Sequence, residues 1–170
     1  MFANSGVKNG IILGIIFILF SHICYMVDPK MLVNPVAYLS YIFILYFMYR
    51  SAVDERRKNE GLLSFSEALK VSFLTFVIGK LFYSIYIYLM FNYFDPSLNE
   101  VLREVTADTL EYFAKLAGAE DSLDQVHDQM ESQNMQMSFS ILFLDYLVEL
   151  IFPGFIIALV ISAITKKENP

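Results

Sequence analysis

Four long apolar runs, at about Val7–Val27, Pro35–Val53, Val71–Phe94 and Phe139–Thr165, limit this chain to very few folds. At ~1.5 Å rise per residue, a helix of roughly 20 residues crosses a hydrocarbon core of about 30 Å, and each run reaches that length. A lipid-embedded backbone must satisfy its own hydrogen bonds, which leaves helices or a closed barrel. The runs lack the strand-like alternation a barrel needs, so the spacing predicts an all-α membrane protein with four transmembrane helices, its first partner the lipid bilayer. Of the 170 residues, 56% are hydrophobic and 18% charged, a balance that fits lipid better than water. The four spans consume about half the chain, leaving one membrane domain over residues 1–170. Lys8 at the start of the first run, ahead of its unbroken apolar stretch, resembles the start of a signal peptide. The run is too long for one, however, and Ser21-His22-Ile23-Cys24 lacks the small residues of a cleavage site, so it reads as an uncleaved span.

Basic residues orient the spans. Lys8, Arg50, Arg56, Arg57, Lys58, Lys70, Lys166 and Lys167 flank them on one side; Lys30, Arg103 and Lys115 fall on the other. Positive charge is retained inside, which predicts cytoplasmic N- and C-termini and a cytoplasmic Arg50–Ser64 loop. That loop ends in Ser64-Phe-Ser-Glu67, a capping box that should start a helix running into the third span. Asp95-Pro96 should end that span, because proline cannot continue its hydrogen bonding. Residues 95–138 form an acidic outer segment. Ser97-Leu-Asn-Glu100 is a second capping box, followed by Val101, Leu102, Val105, Thr109, Tyr112, Phe113 and Leu116 at helical spacing, with Gly118 as the stop. A second helix is expected from near Ser122, with Leu123, Val126 and Met130 on one face. The segment therefore reads as an extracytoplasmic helical hairpin between the third and fourth spans.

Several functions are disfavoured at this level. A net charge of -6 argues against nucleic acid as a partner. No phosphate-binding glycine loop, His-Glu-x-x-His or Gly-x-Ser-x-Gly elbow is present, so neither an enzyme nor a cofactor is expected. Cys24 is the lone cysteine and His22 and His127 the only histidines, too few for a multi-histidine metal site. His127 among Asp124, Asp128 and Glu131 reads better as a solvated acidic helix face than as a cation site.

The ionisable residues inside the runs are the sharpest signal: His22 in the first, Lys80 in the third, Asp145 and Glu149 four apart in the fourth. A lone charge in lipid costs at least ~2.5–3.5 kcal/mol on insertion scales, so each should face the bundle interior or a water-filled cavity. Ser72, Thr75, Gly79, Lys80 and Ser84 share one half of the third helix, as that requires. Counting ~1.5 Å per residue from the inner edge of each run puts His22 at about 20 Å, Glu149 at about 24 Å and Lys80 at about 14 Å. On that count His22 and Glu149 are nearly level, and Lys80 meets Glu149 only if a kink at Pro153-Gly154, tilt or water closes the gap. Asp145 is near enough to the outer interface to be hydrated. A structural polar latch is the favoured reading of this cluster; an ion or proton path is the alternative.

Gly6, Gly10 and Gly14, extended by Ser21, make a small-residue stripe that permits close backbone approach, inside the bundle or across a dimer face. A homo-oligomer is thus a further candidate assembly.

The basic loop running into Glu60-Gly-Leu-Leu-Ser-Phe-Ser-Glu-Ala-Leu-Lys70, the aromatic third span and its exit Tyr93-Phe-Asp-Pro96 together resemble one family. With the acidic outer helices and the Lys-Lys ending, the chain looks like the bacterial membrane proteins grouped as Domain of Unknown Function 4199. Where members usually carry Gly-Gly before the Ser-Phe segment, this chain has Gly61-Leu62. The resemblance implies a four-helix protein of the bacterial inner membrane and carries no established activity or functional residues. The function expected is a non-enzymatic component that binds another membrane or periplasmic protein; the alternative is a small ion- or proton-coupled transport component using His22, Lys80, Asp145 and Glu149.

Overall fold

The structure, a computed structural model, describes residues 4–33, 39–118 and 136–167. Helix α1 spans Ser5–Val27, α2 Ser40–Lys58 and α3 Phe65–Leu89, the last continued by a wide turn over Met90–Phe94. Helix α4 spans Leu98–Ala117, α5 Phe139–Glu149 and α6 Ile156–Thr165, with a second wide turn, Leu150–Phe155, between the last two. The described residues are all-α apart from one antiparallel bridge between Leu63 and Lys167.

Local chemistry accounts for the helix ends. The Asn4 side chain accepts from the Gly6 and Val7 amides and opens α1. The Asp28 carboxylate caps the short turn Pro29–Leu32 that follows it. The expected capping box at Ser64 and Glu67 is formed in both directions. Gly118 ends α4 at φ 66°, a left-handed conformation that a residue with a Cβ adopts at a cost. The second capping box is not formed. Ser97 itself has helical backbone angles, whereas a cap needs an extended residue, and its hydroxyl and amide donate instead to Asp95 Oδ1 at 2.5 and 3.2 Å.

Among the described residues, three segments are long and apolar enough to cross a membrane: Ser5–Val27, Phe65–Phe94 and Phe139–Thr165. The run expected over 35–53 is displaced. Its helix begins at Ser40 and continues through Arg50, Asp54, Glu55, Arg56, Arg57 and Lys58, so six of its 19 residues are charged, all in the second half. Residues 34–38, with the start of the expected run at Pro35, lie outside the described residues. So do the second arm of the outer hairpin and His127.

Helix α3 runs through the centre and touches α1, α2, α5 and α6. At one end the start of α1 meets the end of α2, where the Ser5 amide donates to Glu55 at 3.3 Å. The Leu63–Lys167 bridge brings the start of α3 and the end of α6 to the same end through two 2.8 Å hydrogen bonds. At the opposite end Tyr25 donates to Asp95 (2.9 Å), Lys30 pairs with Glu104 (2.6 Å), and Asn92 and Asn99 hold the Met137 backbone. The core divides into two apolar clusters along α3. One, toward the Leu63–Lys167 end, is centred on Leu13, Ile44, Met48 and Phe76; the other, toward the Asp95 end, on Ile87, Phe91, Leu98 and Leu142.

Candidate functional site

Between the two apolar clusters lies a polar layer. Lys80 of α3 is only 8% exposed, and its ammonium pairs with the Glu149 carboxylate at the last turn of α5. The same ammonium stands 4.6 Å from the ring centroid of Tyr83, one turn further along α3. A carboxylate on one side and an aromatic face on another replace much of the hydration the cation gives up. The Tyr83 ring is held in turn by an edge-on contact with Phe17 of α1, centroids 5.9 Å apart.

The neighbouring backbone is shaped to admit this layer. At Phe152 the chain leaves helical geometry (φ -136°, ψ 117°), so α5 and α6 do not share one axis. Below the break, Gly154 meets the buried ring of Phe76; a Cβ at Gly154 would come within 2.4 Å of Phe76 Cε1. A Cβ at Gly79 would come within 2.6 Å of the Leu13 side chain. Phe76 and Leu13 thus form an apolar floor between the ion pair and the Leu63–Lys167 end. The Tyr146 hydroxyl donates to the Val77 carbonyl at 3.2 Å, fastening α5 to α3 beside the pair.

The expected level match of His22 with Glu149 is corrected by this arrangement. His22 is exposed, and its Nδ1 lies 3.2 Å from the Tyr86 hydroxyl. The height count misplaced Lys80 because α3 begins at Phe65 rather than at Val71, several residues deeper. The Leu63–Lys167 bridge gives the two strands of chain a common origin. Seventeen residues lead from Leu63 up to Lys80 and eighteen from Lys167 back to Glu149, so the two side chains arrive level. Asp145 lies exposed on α5, at the edge of the layer and within electrostatic reach of Tyr83.

The glycine stripe of α1 lies against α3. A Cβ at Gly6 would approach the Val71 carbonyl to 2.6 Å, at Gly10 the Ile78 Cβ to 2.8 Å, and at Gly14 the Phe82 side chain to 2.6 Å. A second polar group braces this seam. The Thr75 hydroxyl lies 2.6 Å from Ser51 Oγ and 3.3 Å from the Gly6 carbonyl, Ser72 donates to the Met48 carbonyl at 3.2 Å, and buried Asn9 donates to Asp54 at 3.3 Å. Asn9, Ser51, Asp54 and Tyr83 were not distinguishable as partners from the sequence. Only Asn9 left a signal there: it lies beside Gly6 and Gly10 on the face of closest helix approach.

Helices of this length and apolarity, a buried charge pair between two of them and a glycine-lined helix seam define a membrane-type α-helical protein. Residues 8–167 match the model of the family described as Protein of unknown function (DUF4199), and the chain belongs to that family. Comparison with curated proteins and with solved structures found no match.

Proposed function

We propose that this chain is a four-span protein of the bacterial inner membrane, with both termini cytoplasmic, that binds another membrane protein and catalyses no reaction. The basic residues Lys8, Arg56, Arg57, Lys58, Lys166 and Lys167 gather toward the end where Glu55 meets Ser5 and Leu63 meets Lys167, which supports placing that end in the cytoplasm. On this reading α2 is the second span, its apolar half in lipid and its charged half emerging. Lys80 and Glu149 act as a latch that holds the fourth span to α3.

The observation that carries the partner is Asp145. It is exposed on α5 with exposed Ile141 and Val148 one turn to either side on the same face, a surface that otherwise suits only hydrocarbon. Lipid tails cannot satisfy a carboxylate, whereas a hydrogen-bond donor on a neighbouring helix can. Further round α5, an apolar groove of about 250 Å³ against α3, lined by Leu81, Ile85, Phe139 and Phe143, offers a second apolar surface for a partner. The test is a photocrosslinking residue at Val148, on the Asp145 face, in native membranes. A discrete protein adduct that disappears in Asp145→Leu supports the reading; lipid adducts alone, unchanged by the substitution, defeat it.

A second reading is favoured by one set of contacts. From the outer end inward, Asp95 accepts from Tyr25, the Tyr25 ring lies 6.0 Å from that of His22, and His22 reaches Tyr86, one turn above Tyr83 and the Lys80–Glu149 pair. Such a ladder of exchangeable protons is what a proton-coupled component would use. Proton flux in proteoliposomes that is abolished by Lys80→Met with Glu149→Gln, in a folded protein, would favour this reading over the latch.

A further inference from the structure

On the outward face of α2, a cleft of about 340 Å³ is lined by Tyr46, Tyr49, Arg50, Val53, Asp54 and Arg57. The spacing i, i+3, i+4, i+7, i+8, i+11 keeps all six on one side of the helix. We infer that this cleft binds the phosphate of an anionic phospholipid headgroup. Among the described residues, no ion pair or hydrogen bond engages the Arg57 guanidinium. Arg50 has only a 3.9 Å approach of Nε to Asp54 Oδ2, which leaves the rest of its fork available. Asp54 is half-buried and turned toward α1, where its Oδ2 accepts from Asn9. The cleft therefore presents two planar cations, and the one carboxylate in it is already engaged. A guanidinium suits a phosphate because its N–H groups meet two oxygens at once.

The remainder of the face selects a lipid over a free anion. Tyr46 and Tyr49 are exposed with phenol groups beside the arginines, as at the headgroup level of a bilayer. Ile42 and Leu45, one turn earlier on the same face, are also exposed and continue it toward the apolar half of α2. Acyl chains attached to a phosphate in the cleft would lie along them. The place of the cleft in the inner leaflet rests on the four-span reading; the binding chemistry does not.

The test uses the full chain in detergent micelles, which have no sides and so do not depend on topology. Native mass spectrometry is run with phosphatidylglycerol and phosphatidylcholine of identical acyl chains. The parent protein should retain phosphatidylglycerol preferentially, and each of Arg50→Gln and Arg57→Gln should reduce that preference roughly fivefold. Arg103→Gln, on distant α4, should leave it unchanged. Among the described residues no ion pair or hydrogen bond depends on Arg57, so Arg57→Gln should fold like the parent and give a clear reading even if Arg50→Gln does not. Equal retention of the two lipids, or an unaltered preference in Arg57→Gln, overturns the inference. Displacement of the lipid by millimolar inorganic phosphate would also overturn it, assigning the cleft to a free anion.

Discussion

A single lysine amine decides how the third and fourth helices meet. Lys80 is 8% exposed and confronts Glu149 on one side and the Tyr83 ring on another. Removing one partner strands the other charge, and that stranded charge, more than the lost attraction, sets the cost. Lys80→Ala should therefore lower stability in detergent by about 3 kcal/mol. Lys80→Met combined with Glu149→Gln should cost clearly less than the two single changes together, as read from thermal melts. Strict additivity would mean that the two side chains act independently. A second residue-scale prediction concerns Asp95. Hydrogen bonds from Ser97 and then Tyr25 hold its carboxyl below the usual aspartate range. A depressed folded-state value stabilises above the unfolded one and is lost as pH falls through the folded one. The Tyr25–Asp95 fastening should thus be constant from neutral pH down to about 5 and weaken only below about 4. Asp95→Asn should flatten that acid limb in a pH series of melting curves.

At the scale of elements, the seams are set by what glycine leaves out. Without a Cβ at Gly10, α1 approaches α3 closely enough for the Ile78 Cβ to lie 2.8 Å from where that atom would stand. Gly10→Leu should force the helices apart and open the Thr75–Ser51–Gly6 contacts, losing about 1–3 kcal/mol and lowering yield from membranes. A variant as stable as the parent would show that α1 can slide without penalty. Gly154→Ala meets Phe76 in the same way, with an expected loss of similar size. Trimming the obstacle with Phe76→Leu should recover part of that loss. No recovery would place the strain in the Glu149 carbonyl, 2.9 Å from the added atom, and not in the ring. The far half of α4 behaves differently: Tyr112, Phe113 and Leu116 fall at the expected helical spacing yet are 62%, 60% and 67% exposed. Periodicity reports that a helix has an apolar side. It does not report which neighbour covers it.

For the whole molecule, the governing observation is that the start of α1, the end of α2, the start of α3 and the end of α6 converge at one end, while Tyr25, Asp95, Lys30 and Glu104 join at the other. On the proposed topology, cysteines placed at Asn59 and Asp108 in a Cys24→Ala background should label from opposite sides of the inner membrane. Reaction of the Asn59 site with an impermeant reagent in cells whose outer membrane alone is permeabilised would reverse that orientation.

Three of the four apolar runs, the helix-starting Ser64–Glu67 box, the stop at Gly118 and the need of Lys80 for a partner were legible in the chain. Each depends on neighbours within a few residues or on transfer of a side chain between water and hydrocarbon, and both are local quantities. Tertiary structure alone decided that Glu149 rather than His22 is level with the middle of α3, that Tyr83 faces the Lys80 ammonium, and that Asn9 and Ser51 find Asp54 and Thr75. Those outcomes depend on where separate helices begin relative to one another. The Leu63–Lys167 bridge and the break at Phe152 set that origin and bend, and both involve chain segments brought together only when the bundle closes.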